Sequence, residues 1–593
     1  MITKFLSRIH AVVLGETALF RIGTLIVALS FLPGGQSFAA DAVKPAPFAQ
    51  PNILFILVDD MAYNDIGCYA YPGNLAPGKT APTPFPEQSA FAAPNQAVAT
   101  IAGQTVSLTP NLDRLATQGV KFTDYHSPAS VCSPSRLGLM TGRTPGRFGL
   151  GGIISENRGE GLPTREITIA EGLKGCGYAT AAFGKWHLGN GEQHDPTHHG
   201  FDHYWPATGE RATELERLTT QAISFIAENR NGPFFAYFAP HQPHHPNVPH
   251  PDFVGSSTKL LGPRAYMKGD GTTHTQTAAG SDYHDVVHEL DFRISQLLKK
   301  LDDLGLAENT IVIFTSDNGP WVGQKAAQNG KPGIIGTGYP YRGGKFEFWE
   351  GGTRVPALIR FPREIPAGVI SAAPVSGLDW LPTLVLRGGG TAPPDRKLDG
   401  FDQWPFLTGQ PGAKNPRSFI GHDRGKKNLA VSNGKFKQFD NRLVNLQTDF
   451  TEMADATSAN PDVAAEMTRQ LASANTSLAA ELPGLEKGAK QEILLDVGRG
   501  RYVEVPRGGA ATFKVSLRVA PAGDLVVKLR PRSGPANLGV TPAALTFTKA
   551  DWKAPQTVTL KSPGAPETAG NYATLEAVGP DALPIREVYL HVQ

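Results

Sequence analysis

The chain has 593 residues, a length that allows more than one domain. Hydrophobic residues make up 40% of it and its formal net charge is only +2, values typical of a globular protein without the strong charge that points to nucleic acid or an anionic membrane surface. The sequence therefore predicts no nucleic-acid partner, and an anionic substrate would have to be attracted by charges within a local site.

The N-terminal segment has the pattern of an export signal. Basic residues precede an apolar run over 22–32, and small residues follow at Ala39 and Ala40. The run is too short to span a bilayer, which favours a cleaved signal peptide over 1–40 rather than an uncleaved anchor. We expect a periplasmic or secreted protein with no stable transmembrane anchor.

Buried strands alternate with helices after this segment, which predicts an α/β fold with a largely parallel sheet covered by helices. Residues 52–58 form a continuous apolar run of buried-strand type. Pro110 starts a predicted helix that Gly119 closes. Apolar residues on one face predict another helix over 286–301, just before a strand over 310–315.

Other segments are predicted to be loops or a separate module. Residues 71–108 are rich in Pro, Ala and Gly, which predicts a long surface insertion, and 262–282 have a similar loop character. From Glu492 onward, short alternating strands are separated by Gly/Pro turns. This pattern predicts an all-β sandwich domain over 488–593.

Polar side chains follow four predicted strands, at the point where each strand ends. They are Asp59 and Asp60, Lys185 and His187, His241, and Asp317 and Asn318. Ligands bind beyond the carboxyl ends of the strands in open α/β sheets, so we expect these side chains to meet at one sheet edge. The carboxylates and the amide oxygen suit Ca²⁺ or Mg²⁺, while the lysine and the histidines suit an anionic substrate and proton transfer. Each motif alone favours a turn or a helix cap, but the four together favour a site.

The segment VCSPSR offers a nucleophile. Ser133 as the cap and Pro134 at the first position predict a helix start, and Gly142 can end the helix. Arg136 lies four residues after Cys132 and can reach the same face. A helix N-terminus beside an arginine favours a thiolate, so the local pattern favours a reactive cysteine over a buried structural one.

The number of cysteines bears on the chemical state of Cys132. Cys68, Cys132 and Cys176 make no disulfide framework, and at least one thiol must stay unpaired within the monomer. A free thiol in an oxidising compartment is exposed to oxidation unless it is buried or chemically converted.

Taken together, these motifs resemble a type I, formylglycine-dependent sulfatase, arylsulfatase-like, of the alkaline phosphatase superfamily. The resemblance is carried by NILFILVDDMAYNDIGCY, TPNLDRLATQGVKFTDYHSPASVCSPSRLGLMTGR, FGKWHLG, HHGFDHYW, FFAYFAPHQPH, NTIVIFTSDNG and GGKFEFWEGGTRVPALIRFP, in family order from about residue 50 to residue 365. It implies an alkaline-phosphatase-like catalytic domain over 41–390, with a mixed, mainly parallel sheet sandwiched by helices, and a smaller C-terminal subdomain over 391–487.

The resemblance also implies a metal ion and a modified cysteine. In this family the cysteine of CxPxR is converted to formylglycine, so a formylglycine-generating enzyme would be a partner during maturation. The implied ligands of one Ca²⁺ are Asp59, Asp60, Asp317, Asn318 and the formylglycine at Cys132. The hydrated aldehyde would attack the sulfur of a sulfate ester and displace the alcohol, and the sulfated intermediate would then collapse to aldehyde and sulfate.

The resemblance assigns the remaining catalytic roles. Arg136 and Lys185 would stabilise the diol and its developing negative charge, and His187 would orient or deprotonate the diol. His241 and Lys345 would hold sulfate oxygens, and one of them could assist the leaving alcohol. The cation and the basic side chains would together act as Lewis acid and charge clamp.

Some features depart from the family pattern or stay open. Asn64 stands where many members have glycine, and bulky residues fill 346–349, which leaves the substrate shape open. His194, His198 and His199 belong either to a pocket rim or to the scaffold. The C-terminal β domain resembles Calx-β or fibronectin-like modules.

The predicted function is hydrolysis of a sulfate monoester, either an arylsulfate or a sulfated carbohydrate, as a small molecule or a glycan. The alternative is a phosphate or phosphonate ester hydrolase of the same superfamily, since tetrahedral anions resemble one another. A non-catalytic surface protein on a sulfatase scaffold is a third hypothesis, which the full set of catalytic residue types disfavours.

Overall fold

The computed structural model describes residues 50–592 except for 71–96, 102–103, 151, 155–159, 190–191, 263–264, 268–272, 276–282, 322–339, 424–427, 480–485, 488–492, 497–501, 507, 518–523, 534–537, 563–571 and 579–585. The predicted export signal over 1–40 lies outside the described residues. Among the helices that are described, none combines the length and the hydropathy that a membrane-spanning segment requires.

The strands in chain order are β1 (Asn52–Val58), β2 (Val98–Ile101), β3 (Gln104–Ser107), β4 (Val120–Phe122), β5 (Tyr125–His126), β6 (Glu160–Gly161), β7 (Ala179–Gly184), β8 (His203–Pro206), β9 (Phe234–Ala239), β10 (Ala265–Met267), β11 (Thr273–Thr275), β12 (Thr310–Ser316), β13 (Ala357–Arg360), β14 (Val369–Ser371), β15 (Val375–Ser376), β16 (Ile420–Asp423), β17 (Asn428–Ser432), β18 (Phe436–Phe439), β19 (Arg442–Asn445), β20 (Glu486–Lys487), β21 (Ile493–Asp496), β22 (Tyr502–Val505), β23 (Ala510–Leu517), β24 (Leu525–Ser533), β25 (Gly539–Thr541), β26 (Ala544–Phe547), β27 (Gln556–Lys561), β28 (Tyr572–Val578) and β29 (Arg586–Val592).

The helices are α1 (Pro110–Thr117), α2 (Cys132–Thr141), α3 (Ile169–Lys174), α4 (Arg211–Glu228), α5 (Ser256–Leu261), α6 (Tyr283–Asp303), α7 (Glu350–Thr353), α8 (Trp380–Arg387), α9 (Trp404–Leu407) and α10 (Pro461–Ala479). Short 3-10 helices cover Gly67–Tyr69, Pro145–Phe148, Glu192–His194, Pro196–His199, Pro251–Phe253, Ala307–Asn309 and Gly377–Asp379.

The centre of the fold is an eight-stranded sheet with the order β14-β4-β13-β12-β1-β9-β7-β8. Strands β12, β1, β9, β7 and β8 are all parallel, whereas β13 is antiparallel to both of its neighbours. The prediction of a mixed, mainly parallel sheet with helices is confirmed.

The sheet buries both of its faces, which explains the continuous apolar sequence of β1. Successive side chains of a strand point to opposite faces. Phe55 and Leu57 therefore join one core with helices α2, α3 and α8, while Leu54 and Ile56 join the other with α1, α4 and α6. Only a strand covered on both sides can bury an unbroken apolar run.

The C-terminal third of the described chain adds smaller sheets, which are antiparallel except for the parallel pair of β22 and β29. Strands β16–β19 form a four-stranded sheet that packs against α10 through a small core of its own. Farther on, the sheets β21-β23-β27-β25 and β22-β29-β28-β24-β26 share one apolar core that includes Phe513, Val527, Phe547 and Val558. The two sheets have the predicted sandwich arrangement, and the exact domain boundaries stay a prediction.

The two segments predicted as loops contain paired strands. Within 71–108, residues 71–96 lie outside the described part, but β2 and β3 form an antiparallel hairpin. Within 262–282, β10 and β11 form another. A pair of strands this short has too few positions to show an alternating apolar pattern, so neither hairpin was predicted.

Candidate active site

The parallel neighbours β1 and β12 bring two acidic motifs side by side. They pair in register up to Val58 with Ser316, so the residues that follow leave the sheet together. Asp59 and Asp60 follow β1, Asp317 follows β12, and all three are buried. The backbone N–H of Asp60 donates to the Asp317 carboxylate at 3.3 Å.

Strand β7 supplies the basic side of the site. Lys185 follows it, and its Nζ lies 2.5 Å from Oδ2 of Asp59. The preceding Gly184 has a φ of +103°, and a Cβ there would lie 2.2 Å from the carbonyl oxygen of Ala239 in β9. Only glycine allows this close approach, which lets the backbone N–H of Lys185 donate to the same carbonyl at 2.7 Å.

Cys132 faces the acidic motifs. It is the first residue of α2, and its Sγ lies 3.4 Å from Oδ1 of Asp59 and 4.0 Å from Oδ1 of Asp60. Burial and, next, the charge of Asp59 raise the pKa of the Cys132 thiol well above its ordinary value. The thiolate that the local sequence pattern favours does not fit this environment, because the helix terminus is buried beside a carboxylate that a local pattern does not reveal.

The predicted helix cap is also wrong. The helix begins at Cys132, two residues earlier than the predicted first position at Pro134, after the extended Val131. The hydroxyl of Ser133 is buried and accepts a hydrogen bond from the backbone N–H of Ile154 at 3.0 Å instead of capping the helix. Gly142 ends the helix as predicted, with a left-handed φ of +64°.

Each buried carboxylate has a cation of its own. The pairs are Arg136 with Asp317 at 2.8 Å, Lys185 with Asp59 at 2.5 Å, and Lys345 with Asp60 at 2.7 Å. The formal charges of these pairs cancel. A bound divalent cation would therefore leave the site positive, which favours an anionic ester.

Burial and neighbouring charges move several pKa values in the site. Burial alone would raise the pKa of Asp59, but the positive charges around it, of which Lys185 is the strongest, together outweigh burial and hold this pKa well below the usual range. Burial and then Asp59 raise the pKa of Asp317 to about 7. Burial and then Lys185 lower the pKa of His187 to about 2, so His187 is neutral at pH 7.

His187 is held in an unusual conformation. Its φ is +60°, which is rare for a residue other than glycine. Its Nδ1 is buried and has no hydrogen-bond partner among the described residues. A neutral imidazole with an unused nitrogen is able to accept a proton from a group bound beside it.

The oxygen donors of the site fit a hard divalent cation. Asp59, Asp60, Cys132 and His244 can each offer one ligand atom, and these atoms lie within 4.8 Å of one another. Asn318 donates its side-chain N–H to Asp60 at 2.7 Å, while its buried Oδ1 has no hydrogen-bond donor among the described residues. Carboxylate oxygens with a free amide oxygen are the ligands that Ca²⁺ prefers.

Sequence reasoning missed Glu214 and His244. Glu214, in the first turn of α4, is buried and its Oε1 lies 2.9 Å from Nδ1 of His241. A carboxylate only accepts hydrogen bonds, so Nδ1 carries the proton and Nε2 is left for the site. Nε2 of His244 lies 3.5 Å from Oδ2 of Asp60. An acidic residue on the apolar stripe of α4, next to Leu215, was the one signal in the sequence that pointed to Glu214.

A buried charge cluster anchors the segment that carries Lys345. Lys437 in β18 donates to the carbonyl of Phe348 at 2.7 Å and pairs with Glu350 at 3.1 Å and Glu452 at 2.7 Å. The backbone N–H of Glu350 donates to Glu452 at 2.7 Å. The sheet β16–β19 and its neighbouring loop thus fix the segment that follows Lys345.

This cluster is complete without a metal ion. His126, Glu350 and His422 can offer ligand atoms within 4.8 Å of one another. However, Lys437 and Arg354 already hold the two oxygens of Glu350, each at 3.1 Å. We therefore regard it as an ion-pair network.

The three open histidines are not gathered at the site. His194 and His199 are buried, and Nδ1 of His194 lies 3.0 Å from the carbonyl oxygen of Leu162, whereas His198 is exposed. These positions favour the scaffold interpretation. Asn64 is buried, and its side-chain amide has no hydrogen-bond partner among the described residues.

The chain is similar to known proteins over its catalytic part. Residues 51–388 match the family model described as Sulfatase. Arylsulfatase A of Homo sapiens is 33% identical over 441 residues, which cover 65% of this chain and 74% of that protein. Steryl-sulfatase of Mus musculus is 31% identical over 467 residues, with 65% and 69% covered.

Solved structures have the same fold. The crystal structure of Ps i-CgsB in complex with k-i-k-neocarrahexaose aligns with a TM-score of 0.55 and 25% sequence identity. The alignment covers 72% of this chain and 92% of that chain.

Proposed function

The chain belongs to the sulfatase family and is a sulfate ester hydrolase, and on that premise we propose that it acts on a sulfated carbohydrate with a formylglycine made from Cys132. An arylsulfate is the alternative substrate class. The carbohydrate assignment is supported by the likeness to Ps i-CgsB, whose structure was solved with a neocarrahexaose.

One observation carries the proposed nucleophile. The Cys132 thiol faces Asp59 and Asp60 inside a buried site, where its raised pKa makes it a poor nucleophile as a thiol. Conversion to formylglycine supplies an aldehyde whose hydrate offers hydroxyl groups for displacement at sulfur. The side chain at this position thus gains the chemistry that the unmodified cysteine lacks.

We propose that Asp59, Asp60, Asp317, Asn318 and residue 132 hold one Ca²⁺. The cation would supply Lewis-acid chemistry and positive charge at the site. The free Oδ1 of Asn318 and the buried carboxylates support this ligand set.

The remaining site residues bind and orient the ester. Arg136 and Lys185 place positive charge beside residue 132, where negative charge develops. His187, neutral at pH 7, orients the hydrate at residue 132 by accepting a hydrogen bond at a ring nitrogen, or takes up its proton as sulfate is attacked. Lys345 contacts sulfate oxygens, and His241, held at Nδ1 by Glu214, presents Nε2 to the sulfate or to the leaving oxygen.

Mass spectrometry of the peptide containing Cys132 tests the proposal. In protein produced together with a formylglycine-generating enzyme, the peptide should be lighter by about 18 Da than the cysteine form. Cys132→Ala should abolish sulfate ester hydrolysis without loss of the fold, while Cys176→Ala, at a half-buried cysteine away from the site, should keep activity. An unmodified peptide in fully active protein, or a large preference for aryl phosphate over aryl sulfate, would overturn the proposal.

We also propose that residues 1–40 are removed on export to the periplasm or beyond. N-terminal sequencing of the mature protein checks this, and a mature chain that still begins at Met1 would contradict it.

A further inference from the structure

Two aromatic side chains flank Lys345 at the edge of the site. Nζ of Lys345 lies 5.5 Å from the ring centroid of Trp321 and 5.8 Å from that of Phe346. The two rings are 6.2 Å apart at 75°. The same Nζ lies 2.7 Å from Oδ1 of Asp60. Lys345 therefore lies between the carboxylates of the site and the two aromatic rings.

The backbone holds this pair in place. The N–H of Lys345 donates to the carbonyl of Pro320, and the N–H of Phe346 donates to the carbonyl of Ser130, each at 2.8 Å. Ser130 lies two residues before Cys132. The position of Phe346 is therefore fixed relative to the nucleophile.

Phe346 adopts a backbone conformation that costs less free energy for glycine than for a bulky residue. Its φ is +72°, in the left-handed region that is an outlier for a bulky residue. Its side chain is 38% exposed, so this strain is not offset by full burial in the core. A large exposed ring in a strained conformation beside a reactive site indicates a function for the ring itself.

The site is more exposed on the side of this aromatic pair than at the nucleophile. Cys132 and Arg136 are almost completely buried, whereas Phe346 is exposed and the His244 ring, 6.4 Å from the Trp321 ring, is half-buried. A sulfate held by Lys345 would therefore direct its alcohol toward the two aromatic rings. The C–H face of a sugar ring is an apolar surface of the size that an aromatic side chain covers.

We propose that Trp321 and Phe346 form a subsite that stacks on the sugar ring carrying the sulfate. This proposal rests on the proposed function and assigns the residues that select its substrate. Phe346 would then determine which alcohol the enzyme accepts and would take no part in the reaction at sulfur.

The test compares ring-bearing and ring-free esters. We measure kcat/KM of the formylglycine-containing enzyme on a monosulfated monosaccharide, on 4-nitrophenyl sulfate and on ethyl sulfate. Phe346→Ala combined with Trp321→Ala should lower kcat/KM on the sulfated sugar about tenfold, with the change mainly in KM, while ethyl sulfate changes less than about twofold. Phe346→Tyr, made alone in the wild-type protein, should keep the preference for the sulfated sugar, because an aromatic ring remains at this position. Phe292→Ala, at a similarly exposed ring on α6, is the matched control.

Other outcomes separate the two proposals. If the wild-type enzyme hydrolyses none of the three esters, the proposed function fails. If it hydrolyses them but the double variant loses activity equally on ethyl sulfate and on the sugar, the aromatic subsite is wrong and the pair is structural. A loss confined to 4-nitrophenyl sulfate overturns the assignment to a sugar ring.

Discussion

Replacing Glu214 by Gln should weaken catalysis through His241 without direct contact with the ester. Oε1 of Glu214 accepts a hydrogen bond from Nδ1 of His241 at 2.9 Å. Its Oε2 accepts hydrogen bonds from the backbone N–H groups of Thr208 at 3.0 Å and Gly209 at 3.3 Å. A glutamine offers one oxygen and one NH₂ group to these donors. In either orientation an NH₂ group faces a donor, or His241 must change its tautomer.

The size of the effect follows from the contacts that are lost. A hydrogen bond to a charged group contributes about 1.5–3 kcal/mol, and each 1.36 kcal/mol corresponds to a factor of about ten in rate. We therefore expect kcat/KM to fall about 10- to 100-fold in Glu214→Gln. Burial lowers the pKa of His241 to about 4, against the opposing effect of Glu214. Removing the negative charge should lower this pKa further.

The assay is the pH profile of kcat/KM on a sulfate ester, together with thermal melting. The inflection that His241 contributes should move to lower pH in Glu214→Gln, because the imidazolium form loses its carboxylate partner. Glu216→Gln is the matched control, since this residue is two positions away on α4 and its side chain is 46% exposed. If Glu214→Gln leaves both kcat/KM and the profile unchanged, Glu214 does not position His241. A loss of activity that only tracks a lower Tm would assign it a structural role.

Three other predictions concern cation binding and stability. Calcium should raise the Tm of the wild-type protein and EDTA should lower it, because a ligand at 100 times its Kd stabilises the fold by about 2.7 kcal/mol. In Asp60→Asn this change in Tm should be largely lost. Lys437→Met should lower the free energy of unfolding by about 3–5 kcal/mol in urea denaturation, since buried Glu452 loses its cation and Glu350 keeps only Arg354. Lys299→Met, at a side chain that is 73% exposed, should change it by less than about 0.5 kcal/mol. Ser133→Ala should cost about 1 kcal/mol by leaving the buried N–H of Ile154 unpaired, with unchanged helix content in circular dichroism.

Each of these predictions has a contradicting result. An equal calcium response in Asp60→Asn would remove Asp60 from the ligand set. A Lys437→Met midpoint equal to that of its control would show that the buried cluster adds no stability. If Ser133→Ala instead reduces helix content, the serine acts as a cap in solution.

The sequence predicted the sheet edge well because strand register is a simple consequence of hydrophobic pattern. Asp59 and Asp317 follow two buried apolar strands, and parallel pairing places such residues together. The prediction of the helix cap was wrong at the start of α2. There the hydroxyl of Ser133 accepts a hydrogen bond from the backbone N–H of Ile154, 21 residues away in the chain. Local capping preferences cannot anticipate a tertiary partner that competes for the same oxygen.

The electrostatics of the site were less accessible from sequence. The raised pKa of Cys132 depends on burial and on Asp59, which lies 73 residues away in the chain. Glu214 likewise reaches His241 across 27 residues. Neither contact produces a periodic pattern, so only the folded arrangement reveals them.

The buried cluster around Lys437 has a consequence for how short an active form of this protein can be. The match to the family model ends at residue 388, and every candidate ligand and catalytic side chain lies before that point. A chain that stopped there would keep all of these groups but lose Lys437 and Glu452, which hold the segment after Lys345. The candidate catalytic residues thus all lie before residue 388, whereas the residues that anchor the segment after Lys345 lie beyond it. We therefore expect a chain ending at residue 388 to be less active than the full chain, although it keeps every candidate catalytic side chain.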